Sequence, residues 1–295
     1  MRNKHPDRTT STARPDADVG ADADAGSVLP ASAASEPGAA VDRSFGVAIG
    51  RAFDILHCFT AAEPQLGISE LGRRSGLPKA TVARLTYTLE QLGYLYRSNP
   101  PGKYTLGWRL LSLGYPLLSG ATLRQRARPP MVRLATQLHA NVNLVTLDRL
   151  RIIYIETVRH DDSTKYRSPD IGITYPLLVT ASGRTILAHL RGRRADELAN
   201  RLALADRAAW EAALPKVRQI REDLERKGFH AGPSELHPSA WVATVPMRLR
   251  DHEPPMVFNC SMPQAQFSRT QLDRRVGPML VELVREVEGG PAGAP

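Results

Sequence analysis

The sequence predicts a mixed α/β (α+β) protein in two folded parts, a small helical domain carrying a β-hairpin and a larger domain of mixed strands and helices. Two short stretches predict the first part. Residues 72–85 read GRRSGLPKATVARL, with a Gly-Leu-Pro turn between two helical patterns, and residues 93–107 read GYLYRSNPPGKYTLG, an alternating run with a turn at its centre. Strand-like and helix-like runs fill the chain beyond residue 140. The 295 residues, 42% of them hydrophobic, suffice for two ordinary domains.

The first 44 residues are predicted to be a disordered tail. They are rich in Ala, Asp, Ser, Thr, Gly and Pro and contain no aromatic residue. Such a segment cannot bury enough apolar surface to offset the entropy lost on ordering. The net charge of +9 belongs to the folded parts and suggests a polyanionic partner.

Several protein classes are excluded by absent patterns. The two cysteines, Cys58 and Cys260, match no disulfide framework or zinc spacing. The chain has no apolar run of membrane-spanning length and no secretory leader, so we expect a cytoplasmic protein without membrane contact. Gly-x-Ser-x-Gly, HExxH and phosphate-loop motifs are missing, and we expect no enzyme activity, no cofactor and no metal. The pair His230 and His237 is the one weak alternative for metal binding.

Structure is predicted to begin near Phe45 with an amphipathic helix. Its buried face should be formed by residues at three- and four-residue steps: Ile49, Ala52, Phe53, Leu56 and Phe59. Ser69 is a plausible N-cap for a second helix over residues 70–75, and Gly76 suits the left-handed turn that ends it. Pro78 suits the first position of a third helix. The buried stripe of that helix should be Val82, Leu85, Leu89 and Leu92.

Two helices meeting at a tight turn, the second beginning with small and basic residues, form a helix-turn-helix. The hairpin after it is typical of a wing, which favours DNA binding over a plain helical hairpin with a solvated basic face. The candidate DNA contacts on the helices and the wing are Arg73, Arg74, Lys79, Ala80, Thr81, Arg84, Thr88, Arg97 and Lys103.

Residues 108–128 are predicted to be a linker helix with an apolar face used between subunits. Gly114 and Pro116 are expected to kink or break this helix.

With these features the chain resembles the IclR family of bacterial transcriptional regulators. The resemblance rests on ISELGRRSGLPKATVARL, LEQLGYLYR and GKYTLGWRLLSLG, and later on GITYPLLVTASGRTILAHL and VATVPM, in that order. It implies a winged helix-turn-helix over 45–107, the linker helix, and a GAF/profilin-like effector-binding and oligomerisation domain over 129–290. It also implies a homodimer or homotetramer on a double-stranded DNA operator, with a small organic acid as effector.

The residues of the second domain are compatible with that fold. Strands are expected over 142–147, 151–158, 241–249 and 256–262. Helices are expected over 182–190, 195–204, 207–227 and 269–288.

The effector site is predicted at the start of the helix near Ser182. Free N–H groups at a helix N-terminus favour a carboxylate, although an ordinary N-cap is the alternative there. The resemblance adds strand positions, with a frequent family cysteine falling on Val242 and two serines on Asn259 and Ser261. The full candidate set is Leu178, Thr180, Ala181, Ser182, Gly183, Trp241, Val242, Asn259 and Ser261.

Because half of the family's polar positions have become apolar, the resemblance favours a larger acid, with aromatic acids as candidates. Trp241 and Tyr154 could contact such a ligand or belong to the core. The remaining alternative is a DNA-binding regulator whose C-terminal domain only oligomerises or binds a partner protein.

Overall fold

A computed structural model describes residues 45–99, 101–120, 122–160, 169–248 and 253–289. The predicted tail over residues 1–44 lies outside these ranges. Among the described residues the apolar core forms three clusters, one in the N-terminal part and two in the C-terminal part.

The N-terminal part is a three-helix unit with a small sheet. Its elements are α1 (Val47–His57), β1 (Leu66–Gly67), α2 (Ile68–Ser75), α3 (Lys79–Gln91), β2 (Leu95–Arg97) and β3 (Lys103–Leu106). The hairpin β2–β3 is joined by β1, which pairs antiparallel with β3 and gives the order β1-β3-β2. The core of this part comprises Ile55, Phe59, Leu66, Leu71, Val82, Leu89, Leu95 and Tyr104.

The helix-turn-helix is confirmed, and several local predictions are corrected. Gly76 ends α2 at φ +68°, the left-handed conformation that a side chain would disfavour. Helix α2, however, begins at Ile68 after Gly67, so Ser69 is not its N-cap. Pro78 is the N-cap of α3 and precedes its first helical residue.

The predicted buried face of α1 is wrong in part. Ile49 is 66% exposed and Phe53 49% exposed, whereas Ile55, which was not predicted, is fully buried. On α3, Val82 and Leu89 are buried as predicted, but Leu92 is exposed and Thr86 takes a core position. The apolar stripes were therefore wider than the face that the core covers, and part of each remains in solvent.

The predicted linker helix is two helices, α4 (Arg109–Gly120) and α5 (Thr122–Leu138). The prediction was a kink or a break at Gly114 and Pro116; helix α4 continues past both residues, so a break there is wrong and a kink stays a prediction. Helix α5 runs ten residues beyond the predicted end at 128, and its inner residues Met131, Leu134 and Leu138 enter the core of the C-terminal part.

The C-terminal part is built on one six-stranded antiparallel sheet. Its strands are β4 (Asn141–Asp148), β5 (Arg151–Val158), β6 (Thr174–Pro176), β7 (His230–Pro233), β8 (Ala240–Pro246) and β9 (Met256–Pro263). The spatial order is β6-β5-β4-β9-β8-β7. Strands β6 and β7, one at each edge, were not predicted.

Helices complete this part, and its core forms two clusters. A 3-10 turn over Leu177–Val179 precedes α6 (Ala181–His189), followed by α7 (Gly192–Ala205) and α8 (Arg207–Lys227). The predicted terminal helix over 269–288 is divided into α9 (Arg269–Gln271), a π-helical turn (Leu272–Val276) and α10 (Gly277–Gly289). Helices α5 and α10 contribute to one cluster, and α6, α7 and α8 contribute to the other.

Candidate nucleic-acid interface and ligand pocket

The outer face of α3 is small and basic near its start. Ala80, Arg84 and Thr88 are spaced by four residues and all are exposed, so they lie along one side of the helix. Lys79 is exposed at the first helical position and Thr81 is half-buried. Tyr87, which was not predicted as a contact, is 59% exposed one position before Thr88. This face has the side chains that base edges and phosphates require.

The two arginines at the end of α2 have different surroundings. Arg74 is only 15% exposed, and its guanidinium lies 2.5 Å from Glu63 and 3.2 Å from Glu70 while donating to the Cys58 carbonyl at 3.1 Å. Arg73 is 72% exposed, with a single long contact of 3.5 Å to Glu70. Arg74 therefore joins α2 to the end of α1 and the loop after it, and only Arg73 extends into solvent.

The hairpin β2–β3 is held against α3 by a side-chain pair. The Nε of Arg97 donates to Glu90 at 2.9 Å, and the guanidinium lies over the Tyr104 ring at 5.8 Å. Lys103, at the start of β3, is exposed. The hairpin thus presents two cations to solvent, and Arg97 is joined to α3.

A pocket opens between the N-terminus of α6, the β7–β8 loop and the inner face of the sheet. Six of the nine predicted effector residues line it: Thr180, Ala181, Ser182, Val242, Asn259 and Ser261. Tyr154 also lines it, and burial raises the pKa of its hydroxyl well above the ordinary value. The structure therefore brings most of the predicted set together, while ligand binding there stays a prediction.

Three predicted residues lie outside the pocket lining. Trp241 donates its Nε1–H to the Phe267 carbonyl at 2.9 Å and packs against the α5–α10 cluster instead. Leu178 packs in the other cluster. Gly183 lies against the Leu177 carbonyl so closely that a Cβ would approach its oxygen to 2.1 Å, which indicates a packing role.

Polar side chains form a connected row across the floor of the pocket. Asn143 donates to the Asn259 side-chain oxygen at 2.8 Å, and Asn259 donates to the Ser182 hydroxyl at 3.0 Å. Both asparagines and Ser182 are at most 3% exposed. A buried network of this kind fixes the side chains and presents oriented donors and acceptors to a ligand.

The N-terminus of α6 is capped by its own chain. The Thr180 hydroxyl accepts the Gly183 N–H at 3.0 Å, as in an ordinary N-cap. This is the alternative that the sequence left open for Thr180, and a bound anion would have to use the other free amides of that first turn.

Sequence reasoning missed five lining residues: Asn143, Ser234, Glu235, Leu236 and His237. Four of them belong to the loop between β7 and β8, where Glu235 pairs with Arg184 of α6 and Lys216 of α8. The histidines had drawn attention to this region, but for metal binding. His237 lines the pocket, whereas His230 is hydrogen-bonded to Asp223 at 2.7 Å and does not line it.

The described residues contain no group of three or more His, Cys, Asp or Glu side chains that could hold a metal ion. None of their helices is long and apolar enough to cross a bilayer.

Comparison with known families decides the classification. The model of the IclR helix-turn-helix domain matches residues 48–98, and the model of the bacterial transcriptional regulator IclR C-terminal domain matches residues 116–288. The chain belongs to the IclR family. It accordingly has the family's DNA-binding helix-turn-helix and effector-binding domain and is a transcriptional regulator.

Individual IclR relatives resemble the chain over most of its length. The HTH-type transcriptional regulator TsaQ1/TsaQ2 of Comamonas testosteroni is 29% identical over 81% of this chain and 86% of its own. An IclR-family regulator from Brucella abortus is 33% identical in its crystal structure, covering 85% and 95% of the two chains with a TM-score of 0.74. An IclR homologue from Microbacterium hydrocarbonoxydans, solved with 4-hydroxybenzoate, shares the fold at 23% identity and a TM-score of 0.63, over 82% and 98%.

Proposed function

We propose that this protein is a sequence-specific regulator whose affinity for its operator changes when a small organic acid binds the pocket of the C-terminal domain. The observation that carries the proposal is the convergence of Asn143, Ser182 and Asn259 beneath the N-terminus of α6. Buried polar groups arranged around an opening are typical of a ligand site.

DNA recognition is assigned to α3 and the hairpin. Helix α3 enters the major groove with Ala80, Arg84 and Thr88 toward the base edges. Phosphate contacts are assigned to Arg73 at the end of α2, Lys79 at the start of α3, and Arg97 and Lys103 of the hairpin. We leave Arg74 out of this set because its guanidinium is occupied inside the domain.

Self-association is assigned to the exposed apolar residues of α4 and α1. None of the described residues of α4 is buried, yet its surface carries Trp108 just before it and Leu111, Leu113, Tyr115 and Leu117 along it. Several large apolar side chains exposed on one helix indicate an interaction site. A second copy is the natural partner because paired recognition helices read paired half-sites about one helical turn apart. This leads to a homodimer, or a homotetramer of two such pairs, in the cytoplasm.

The acid proposed first is an aromatic monocarboxylate carrying a hydroxyl group. The lining is more polar than the family resemblance suggested, since two asparagines, three serines and Thr180 line the pocket. 4-Hydroxybenzoate offers a carboxylate and a phenol to these groups, and the Microbacterium homologue was crystallised with it.

The DNA-binding proposal is tested with the protein's own upstream DNA. Arg84→Ala should weaken operator binding about tenfold or more, on the scale of one lost base contact, measured by fluorescence anisotropy at two salt concentrations. The matched control is Arg193→Ala, which removes an exposed arginine of α7 that is paired with Glu197. Equal affinity of wild type and a folded Arg84→Ala protein would remove α3 from the reading surface.

The effector proposal is tested by thermal unfolding with a panel of aromatic and aliphatic acids. A ligand that binds the native state at 100 times its Kd stabilises it by about 2.7 kcal/mol. A stabilising acid that also changes operator affinity supports the proposal. Operator binding with no stabilising acid in the panel would favour a C-terminal domain that only oligomerises or binds a partner protein.

A further inference from the structure

A buried arginine of α6 takes its carboxylate partner from the pocket's loop. Arg184 is 3% exposed; its guanidinium donates to the Leu178 carbonyl at 2.8 Å and pairs with Glu235. Among the described residues, its Nε is buried without a hydrogen-bond partner. Buried polar groups are nearly always satisfied in native proteins, so this N–H has capacity for another acceptor.

The loop that carries Glu235 is a compact unit. It connects β7 to β8 and is closed by hydrogen bonds from the Ser234 N–H to the Ala240 carbonyl at 2.9 Å and from the Ala240 N–H to the His237 carbonyl at 2.8 Å. The His237 N–H donates to the Ser234 hydroxyl at 3.2 Å. Because these hydrogen bonds hold the loop together, the ion pairs of Glu235 join the whole loop to helices α6 and α8.

The charges around Glu235 do not balance. Glu235 is shared by two cations, Arg184 of α6 and Lys216 of α8, whose ammonium group lies 3.2 Å away. One carboxylate therefore faces two positive charges, and a second monocarboxylate would neutralise this group of three. An anion placed beside Arg184 would be paired, which is the condition for burying a charge at acceptable cost.

Space in the pocket is too small for an effector while the loop stays in place. The space that a water-sized probe can occupy is about 30 Å³, enough for very few water molecules, whereas ligand pockets commonly span about 300–1,000 Å³. Glu235, Leu236 and His237 form part of the wall. An aromatic acid therefore needs more room than the pocket offers, and outward movement of this loop, which the Arg184–Glu235 pair opposes, would supply it.

We propose that Glu235 is an internal stand-in for the effector's carboxylate. An incoming monocarboxylate replaces it on Arg184, Glu235 stays with Lys216 at the surface, and the loop over residues 234–239 moves out. Arg184 is then the residue that selects anionic ligands over neutral ones, and ligand binding is coupled to loop position by their shared partner. This inference rests on the proposed effector-binding function and names the ligand class and the selecting residue.

The latch, meaning the Arg184–Glu235 pair that holds the loop in place, is tested without any ligand by hydrogen–deuterium exchange. Glu235→Gln keeps the side-chain shape and removes the charge, and it should accelerate exchange of the His237 and Ala240 amides about tenfold. Glu211→Gln, which removes the partner of exposed Arg207 on α8, is the matched control and should exchange as wild type does. Unchanged loop exchange in Glu235→Gln would overturn the latch.

Ligand selection is tested by calorimetry with matched acids and amides. Benzoate and 4-hydroxybenzoate should bind Glu235→Gln about tenfold more tightly than wild type, whereas benzamide and 4-hydroxybenzamide should not distinguish the two. Arg184→Gln, if folded by circular dichroism, should lose the preference for acids. Equal changes for acids and amides, or no binding of any acid to folded Glu235→Gln, would overturn the assignment.

Operator binding measured in parallel separates this inference from the proposed function. If the wild-type protein shows no specific DNA binding, the regulator proposal is contradicted. The exchange result would still decide whether the Arg184–Glu235 pair holds the loop.

Discussion

Glu156 shows how one residue fixes a helix to the sheet. Its side chain is fully buried on β5, where Arg124 and Arg128 of α5 each approach one carboxylate oxygen to 2.6 Å. A buried carboxylate is tolerated only with such partners, because removing it from water costs several kcal/mol. The start of α5, which continues from the linker α4, is thereby tied to the strand that carries Tyr154 of the pocket.

Removing this charge should destabilise the C-terminal part. Glu156→Gln leaves two arginines without their carboxylate, and we expect a loss of about 2 kcal/mol in the free energy of unfolding, below the range for fully buried pairs because Arg128 is half-exposed. Urea denaturation measures it. Glu286→Gln is the control, since the Glu286–Arg133 pair also joins α5 to another helix but lies in solvent, and it should change stability by less than about 1 kcal/mol. Equal losses in the two variants would contradict the role assigned to Glu156.

Helix α6 is the element on which the pocket depends. Residues 181–188 are all buried, so this helix has no solvent face over that length. It can reach the preceding 3-10 turn only because Gly183 has no side chain toward the Leu177 carbonyl. The close approach places Thr180 and Ser182 against the sheet.

Substituting this glycine should separate the turn from the helix. Gly183→Ala brings a methyl group to 2.1 Å from the Leu177 oxygen, so the backbone must shift, and we expect a loss of about 2 kcal/mol or more. Thermal and urea unfolding test this, with Gly289→Ala at the end of α10 as control because nothing lies within 4 Å of its added carbon. A Gly183→Ala protein as stable as wild type would show that the turn relaxes freely.

At the scale of the whole molecule, many large apolar side chains in the first half of the described chain lie outside the core and are exposed. Ile49 and Phe53 of α1 and the apolar residues of α4 are solvent-exposed in a single chain. Burying such side chains against a second copy yields about 25 cal/mol for each Å² removed from water. The reading heads of two chains would then be held at a fixed separation.

Disrupting this surface should yield a monomer. The double variant Leu111→Glu and Leu117→Glu introduces charges into the proposed interface, and we expect self-association to weaken at least about tenfold, measured by sedimentation velocity. Leu204→Glu on α7 is the control because Leu204 is equally exposed, at 68%, but lies outside this surface. Unchanged association in the double variant would move the interface elsewhere.

Acidification should destabilise the molecule. Burial is the largest cause that lowers the pKa of His57, His189, His230 and His237 below the ordinary value near 6.5. The unfolded chain then binds more protons than the native one below about pH 6.5, so unfolding becomes easier as pH falls from 7.5 toward 5.5. Urea midpoints across this range measure the slope, and His189→Gln should reduce it. A higher midpoint at pH 5.5 would contradict the assignment.

The sequence was informative where local chemistry decides structure. The bounds of β5 and α8 match the predicted ones, because β-branched residues fill the strand and Asp206 and Gly228 cap the helix. Strand β7, with the sequence HAGP, was missed since only pairing with β8 makes it a strand. On β8 the prediction took both Trp241 and Val242, although successive strand residues face opposite sides and only Val242 can line the pocket.

Loop chemistry was beyond sequence reasoning for a related cause. Glu235 lies in a loop, where no helix or strand periodicity indicates which way its side chain points, and its partner Arg184 is 51 residues away. The family resemblance indicated the helix and strands that line the pocket, but the contribution of Glu235 to its wall became visible only from the folded arrangement.

The separation between the pocket floor and its wall has an evolutionary consequence. The floor consists of buried sheet and helix residues, so most substitutions there endanger folding. The wall is a short hairpin connection between β7 and β8, and such connections tolerate exchange. Under the proposed binding mode, lineages that meet a new nutrient would change what they sense by altering six loop positions, and a biosensor library confined to residues 234–239 would vary the same positions while leaving the scaffold intact.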